Sequence, residues 1–202
     1  MTSDRSLFLY DESLKTSPEF LLCGVDEAGR GPLAGPVVAA AVILNDGFEI
    51  DEINDSKKLS EKKREALFPV IKENSTYGIG IASEKEIDEL NILKATFLAM
   101  KRAVENMGKT PDLILIDGNK VPPTMVNAEA LVKGDAKSAS IAAASILAKV
   151  TRDHMMLELD EKYPMYNFKK HKGYPTKEHY ELLKEYGISP CHRKSFFKKH
   201  KI

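Results

Sequence analysis

The chain has 202 residues, enough for one domain of ordinary size or one domain with an appendage. Its 43% hydrophobic and 30% charged residues are those of a globular protein with a real core, and two cysteines are too few for a disulfide framework or a zinc motif. Thirty Lys and Arg balance thirty Asp and Glu, which taken alone argues against a simple basic clamp for nucleic acid.

In chain order, Met1 to Phe20 is too polar for a signal peptide, and residues 1–18 are read as an N-terminal extension. Leu21 to Val25 reads as a buried strand and Val37 to Leu44 as a second. The latter is far short of the roughly 20 apolar residues that span a bilayer. Gly29 to Pro36, between them, is dense in turn residues. Ser60 opens a helix whose apolar positions Ala66, Leu67, Val70 and Ile71 fall at helical spacing. Tyr77 to Ala82 alternates as a third strand, with glycines that let a neighbouring backbone come close. Leu93, Phe97, Met100, Val104 and Met107 mark an amphipathic helix. Leu113 to Ile116 is a fourth strand, ended by Asp117-Gly118-Asn119, and Ala128 to Val132 is a short fifth.

Lys137 to Ala148 is rich in small residues on nearly every face, which predicts a helix pressed closely on the sheet. Thr176 to Tyr186 is a last helix, ended by Gly187. Two successive strands followed by strand–helix alternation indicate an α/β domain with a mixed sheet. The domain is placed at residues 19–161, with 162–202 as a basic helical segment packed on it or hanging from it. From Lys162 onward eleven Lys and Arg face three acids, a balance of +8 that leaves −8 on the first 161 residues. The neutral total is therefore an acidic body and a basic tail. Cys23 and Cys191 read as unpaired thiols of a reducing cytosol, so a cytoplasmic location is expected.

Most of the thirty acids are solvated surface, but four are harder to dismiss. Asp26 and Glu27 continue the buried run from Leu21, where an unpaired charge is expensive. Asp117 closes the most apolar strand, and Asp135 precedes the small-residue helix. Asp117 could instead open an Asp-Gly turn, and Asp135 could cap the following helix. Collected at strand ends, where α/β sheets place their sites, such carboxylates repel unless cations sit between them. All-oxygen ligands favour Mg²⁺ or Mn²⁺ over zinc. Adjacent strand residues point to opposite faces, so Asp26 and Glu27 cannot both aim at one ion from a regular strand. Either the strand ends between them, which the following glycines favour, or one contributes its backbone carbonyl.

Val25-Asp26-Glu27-Ala28-Gly29-Arg30-Gly31-Pro32-Leu33-Ala34-Gly35-Pro36 resembles the signature of the ribonuclease HII family. Further blocks resemble the family's in the same order: Asp55-Ser56-Lys57-Lys58-Leu59, Ile116-Asp117-Gly118, Lys133-Gly134-Asp135, Ala143 to Asp153, His171-Lys172-Gly173-Tyr174 and His192-Arg193-Lys194-Ser195-Phe196. The resemblance covers about Leu21 to Phe197. It implies an RNase H-like mixed β-sheet flanked by helices, with a basic helical C-terminal region. It implies four metal-binding and catalytic carboxylates, Asp26, Glu27, Asp117 and Asp135, and of these Asp26 is the candidate for the shared ligand. The implied activity is endonucleolytic cleavage of RNA in RNA–DNA hybrids and 5′ of single ribonucleotides in duplex DNA, leaving a 3′-hydroxyl and a 5′-phosphate.

Such hydrolysis needs an activated water, charge relief at phosphorus and a stabilised leaving oxygen, which two Mn²⁺ or Mg²⁺ ions roughly 4 Å apart supply. Selectivity for ribose needs a group that senses the 2′-hydroxyl. Gly29-Arg30-Gly31 suits that role because glycines let backbone N–H and C=O approach a sugar. The resemblance implies this role for the tripeptide and a place for Tyr174 at the RNA–DNA junction. Lys57 and Lys58 are candidate phosphate contacts, or an exposed pair at a helix start. The tail, including Arg193-Lys194, is expected to position the duplex through phosphates without reading bases.

The expected partners are hybrid and ribonucleotide-containing duplexes, with a replication clamp as a candidate and a monomer as the expected state. A rival reading keeps the fold as a non-catalytic nucleic-acid-binding module. The related ribonuclease HIII family carries an extra N-terminal domain, for which the residues before Leu21 leave no room, and lacks the Gly-Arg-Gly pattern.

Overall fold

The computed structural model describes residues 5–50, Ile53 and residues 59–197. Five strands form one mixed sheet: β1 (Leu22–Ala28), β2 (Val37–Leu44), β3 (Ser75–Ala82), β4 (Leu113–Asp117) and β5 (Ala128–Leu131). Their spatial order is β3-β2-β1-β4-β5. β1 pairs antiparallel with β2 and β2 with β3, while β4 joins parallel to β1 after a helical crossover and β5 pairs parallel with β4. β2 is buried over its whole length except Leu44, which is why it reads as an unbroken apolar run.

The sheet is covered on both faces. On one side α3 (Glu84–Leu90) and α4 (Ile92–Asn106) bring Ile87, Ala95, Ala99 and Met100 onto Val25, Val37, Ala39 and Ile116. Gly78 and Gly80 of β3 meet the α4 backbone directly. On the other side α2 (Glu61–Glu73) and α5 (Ala139–Lys162) bring Leu67, Ile71, Ala142, Ala143 and Ile146 onto Ala40 and Val42. A Cβ at Gly24 would strike the backbone of Ser140 and Ile141, so only glycine permits α5 to lie this close to β1. Ser60 and Ser138 cap α2 and α5 by accepting the backbone N–H of Lys63 and Ile141.

α5 is twice the length expected from its small-residue stretch. Beyond Ala148 the composition turns charged, but Val150, Arg152, Asp153 and Met156 keep one face buried and carry the helix on to Lys162. The segment read as an N-terminal extension contains α1 (Arg5–Leu14), whose Leu7 and Phe8 join the α5-side core. Its Asp11 accepts hydrogen bonds from the Ser140 N–H and hydroxyl, both at 2.8 Å, in the first turn of α5. No helix among the described residues is long and apolar enough to cross a membrane.

The basic segment packs on the domain rather than hanging from it. Short α6 (Phe168–His171) and α7 (Lys177–Tyr186) build a smaller cluster in which Tyr166, Phe168, Leu183 and Cys191 meet Leu33, Ala34 and Met156. Both cysteines are buried and free. Burial pushes the Cys23 thiol up to about 12 and the Cys191 thiol up to about 11, which keeps them protonated and inert.

His171, His179 and His192 are buried among these aromatics. Burial lowers His179 and His192 from 6.5 to about 4 and lowers His171 as well. Below pH 6.5 the unfolded chain takes up protons that the folded chain refuses, so stability is full at neutral pH and falls as pH drops toward 4. The thermal midpoint, measured at pH 7, 6 and 5, is expected to decline, and His192→Asn to make that decline shallower. An equal slope in both proteins would place the pH dependence elsewhere.

Candidate active site

The register of the parallel pair β1–β4 aligns Val25 with Ile116, so the next residues, Asp26 and Asp117, lie side by side at the carboxyl ends of both strands. Alternation turns both toward the α5 face of the sheet. Asp135 reaches the same place from a single 3-10 turn, Gly134–Ala136, that leads into α5. One carboxylate oxygen from each of Asp26, Asp117 and Asp135 lies within 4.8 Å of the others. Asp26 and Asp135 are buried and Asp117 is half-buried.

Backbone N–H groups orient two of the three. The Glu27 N–H donates to Asp26 Oδ1 at 2.7 Å, and the Gly134 N–H donates to Asp117 Oδ1 at 2.7 Å. Asp135 is not a helix cap, since Ser138 fills that role. Three hard oxygen donors this close repel one another, and no Cys or His belongs to the group. Such a donor set fits Mg²⁺ or Mn²⁺ and does not fit zinc.

Glu27 stands apart. β1 stays regular through Ala28, so the strand does not end between Asp26 and Glu27, and pleating directs Glu27 to the opposite face. Its carboxylate pairs with the Arg30 guanidinium at 3.3 Å.

That pair leads into the Gly29–Pro36 loop, where two wholly buried arginines do the holding. Arg193 donates to the carbonyls of Gly29 (2.6 Å), Arg30 (3.1 Å), Gly35 (2.8 Å) and Pro36 (3.1 Å). Arg152 donates to Pro36 (3.0 Å), Ala34 (3.1 Å) and Lys172 (3.1 Å). Burial lowers the pKa of both, and for Arg193 the charge of Arg152 adds to the effect. Gly29 has φ +96°, and a Cβ there would collide with the Arg152 side chain. Residues 33–35 also pair with 191–193 through backbone hydrogen bonds from Gly35 to Cys191 and from Arg193 to Leu33, each 2.9 Å.

Tyr174 is drawn to the same loop. Its ring stands 3.7 Å from a Cβ built on Gly31, and Arg152 lies 5.9 Å from the ring centre. Tyr174 is 41% exposed. The structure thus gathers Asp26, Asp117 and Asp135, and beside them Gly29, Arg30, Gly31 and Tyr174, into one region. Lys57 and Lys58 lie outside the described residues.

The tail needs a correction. Arg193, grouped with the phosphate-contacting residues by its place in a basic run, is fully buried and engaged with carbonyls. Lys169, Lys184 and Lys194 are exposed. Arg152 and Arg193 hold this loop, and neither contact is visible in the sequence. A guanidinium bonded to carbonyls more than a hundred residues away leaves no local mark.

The sequence model of the family described as Ribonuclease HII matches residues 23–199. A Ribonuclease HII of Clostridioides difficile (strain 630) is 59% identical over 176 residues, which span 87% of this chain and 69% of that one. Another, of Caldicellulosiruptor bescii, is 53% identical over 199 residues, 98% of this chain and 97% of that one. Among solved structures, that of the PCNA:RNase HII complex from Archaeoglobus fulgidus matches with a TM-score of 0.73 at 28% identity, over 91% of this chain and 96% of that one.

Proposed function

The chain belongs to the ribonuclease HII family, and from that premise we propose that it nicks duplex DNA 5′ of an embedded ribonucleotide as well as cleaving RNA in hybrids. As a family member it is a divalent-metal-dependent ribonuclease H acting on RNA–DNA substrates. The observation that carries the finer reading is the convergence of Asp26, Asp117 and Asp135 within 4.8 Å, next to a loop built from glycines.

In this reading Asp26, Asp117 and Asp135 would hold two Mg²⁺ or Mn²⁺ ions, with Asp26 as the candidate shared ligand. Bound there, the ions supply an acidified water and charge relief at the scissile phosphate. The N–H groups of Glu27 and Gly134 keep the first two carboxylates aimed. Glu27 acts from the far face of β1 by holding Arg30, and its part in metal binding runs through its backbone or a shift of its side chain.

Gly29-Arg30-Gly31 presents backbone groups to the ribose 2′-hydroxyl, and Tyr174 packs on the sugar–base step at the junction. Both stay in place because Arg152 and Arg193 fix the loop from behind. The 19–161 body holds the carboxylates, while 162–202 supplies Tyr174 and exposed lysines that meet phosphates. Lys57 and Lys58 are further phosphate contacts. The solved PCNA:RNase HII complex makes a sliding clamp a candidate partner.

The test is a nicking assay on duplex DNA bearing one ribonucleotide. Cleavage 5′ of the ribose, giving 3′-hydroxyl and 5′-phosphate ends, is expected with Mg²⁺ or Mn²⁺ and none in chelator. Folded protein that cuts a hybrid yet leaves this duplex intact with either ion would remove the embedded-ribonucleotide activity.

A further inference from the structure

Three neutral imidazoles are buried at the point where the C-terminal segment meets the glycine loop, and every proton among them can be placed. The Ser189 N–H can only donate, and it meets His192 Nδ1 at 3.0 Å. His192 therefore carries its proton on Nε2, which lies 3.1 Å from His179 Nε2. His179 Nε2 accepts, so its own proton is on Nδ1, and Nδ1 lies 2.9 Å from the Tyr174 carbonyl oxygen, which can only accept. The assignment made from the Ser189 end thus agrees with the requirement at the Tyr174 end.

His171, stacked on His179 with ring centres 4.4 Å apart, serves the same turn. Its Nδ1 accepts the Gly173 N–H at 3.2 Å, and its Nε2–H donates to the Tyr166 carbonyl at 2.8 Å. The turn so held is unusual, with Lys172 at φ 51° and Gly173 at φ +80° in succession. It also docks on the glycine loop: the Leu33 N–H donates to the Gly173 carbonyl at 2.8 Å, and Arg152 donates to that of Lys172.

Burying three polar rings in an aromatic cluster is costly unless each is satisfied, and apolar residues would fill that space more cheaply. Here they are satisfied, and all three act on the turn that presents the half-exposed Tyr174 ring to Gly31. We propose that the His192–His179 chain is a positioning device for substrate discrimination: it sets the Tyr174 backbone so that the ring stands at the height of Gly31, where the ribonucleotide junction is met. The inference rests on the reading that Tyr174 contacts that junction. Neither histidine touches substrate. The low pKa values of both rings support the neutral chain at working pH.

The test compares kcat and KM of full-length wild type, His179→Leu, His179→Asn, Tyr174→Ala and the His179→Leu/Tyr174→Ala double variant, on the single-ribonucleotide duplex and on a hybrid. His179→Leu removes the donor and is expected to raise KM on the single-ribonucleotide duplex roughly tenfold, with a smaller change on the hybrid and in kcat. His179→Asn places an amide N–H near the lost Nδ1–H and is expected to restore most of that loss. In the Tyr174→Ala background His179→Leu is expected to add nothing, since residues acting as one unit are not additive.

A folded His179→Leu that matches wild type while Tyr174→Ala is impaired overturns the positioning role alone. A Tyr174→Ala protein that cleaves like wild type overturns the junction reading and the positioning role with it. Should His179→Leu fail to fold, ¹⁵N spectra of the wild-type imidazoles decide: His179 as the Nδ1–H tautomer and His192 as the Nε2–H tautomer at pH 7 support the chain. The reverse tautomers, or a charged ring at either position, overturn it.

Discussion

Asp26→Asn is expected to abolish cleavage on every substrate while duplex binding survives. The amide keeps the size of the carboxylate and keeps an oxygen for the Glu27 N–H that now meets Asp26 Oδ1 at 2.7 Å, so fold and local geometry persist. What disappears is one of three negative charges within 4.8 Å of one another. Removing a group that only orients a ligand lowers activity roughly 10- to 100-fold. Loss of the ligand proposed to serve both ions should exceed that, to below detection in a single-turnover assay. Binding, which in the proposed reading depends on lysines and the glycine loop, should hold or tighten, because a negative charge beside the proposed site of the scissile phosphate is gone. Single-turnover cleavage and a binding titration on the same preparation check both halves. Activity within 100-fold of wild type would demote Asp26 to an orienting role.

The same three carboxylates show why this site was largely legible in the sequence. Asp26 and Asp117 each end an apolar run, and a charge at the end of a buried strand needs a reason. The period-2 rule sets Asp26 and Glu27 on opposite faces of a regular strand, but the glycines that follow suggested that the strand ends between them, whereas β1 stays regular through Ala28. Gly78 and Gly80 announced a close backbone approach that α4 makes. The strands, the mixed sheet and the caps at Ser60 and Thr176 followed from local patterns.

What stayed hidden depends on distance. The far half of α5 lacks the small residues of the near half, and its buried face is set by packing against the C-terminal segment. Arg152 and Arg193 have the same letters as surface residues. Only the fold shows that their partners are carbonyls of the Gly29–Pro36 loop, and that the +8 of the tail includes a charge that never reaches solvent. His179 and His192 are hidden likewise, because a relay between two rings is invisible until both are placed.

Arg193→Met separates the two roles a basic residue in that tail could have. Methionine keeps the apolar stem but removes all four hydrogen bonds to Gly29, Arg30, Gly35 and Pro36. The Pro36 carbonyl keeps its bond from Arg152, but the other three lie under a fully buried side chain, and orphaning such groups costs about 1–3 kcal/mol each before relaxation. Relief of the Arg193–Arg152 repulsion offsets part of this. A net loss of about 3 kcal/mol is expected, a fall of roughly 10 °C in thermal midpoint for a chain of this size. Arg193→Lys should recover little of it, since a lysine has no planar fork to reach four carbonyls at once. Cleavage of the single-ribonucleotide duplex should fall further than binding, because the loop proposed to meet the 2′-hydroxyl loosens while the exposed lysines stay. A phosphate contact behaves in the opposite way. Removing one leaves the thermal midpoint alone, lowers the salt dependence of binding by about one phosphate and is largely rescued by lysine. Melting curves and salt titrations of the two variants therefore decide whether Arg193 holds the loop or the nucleic acid.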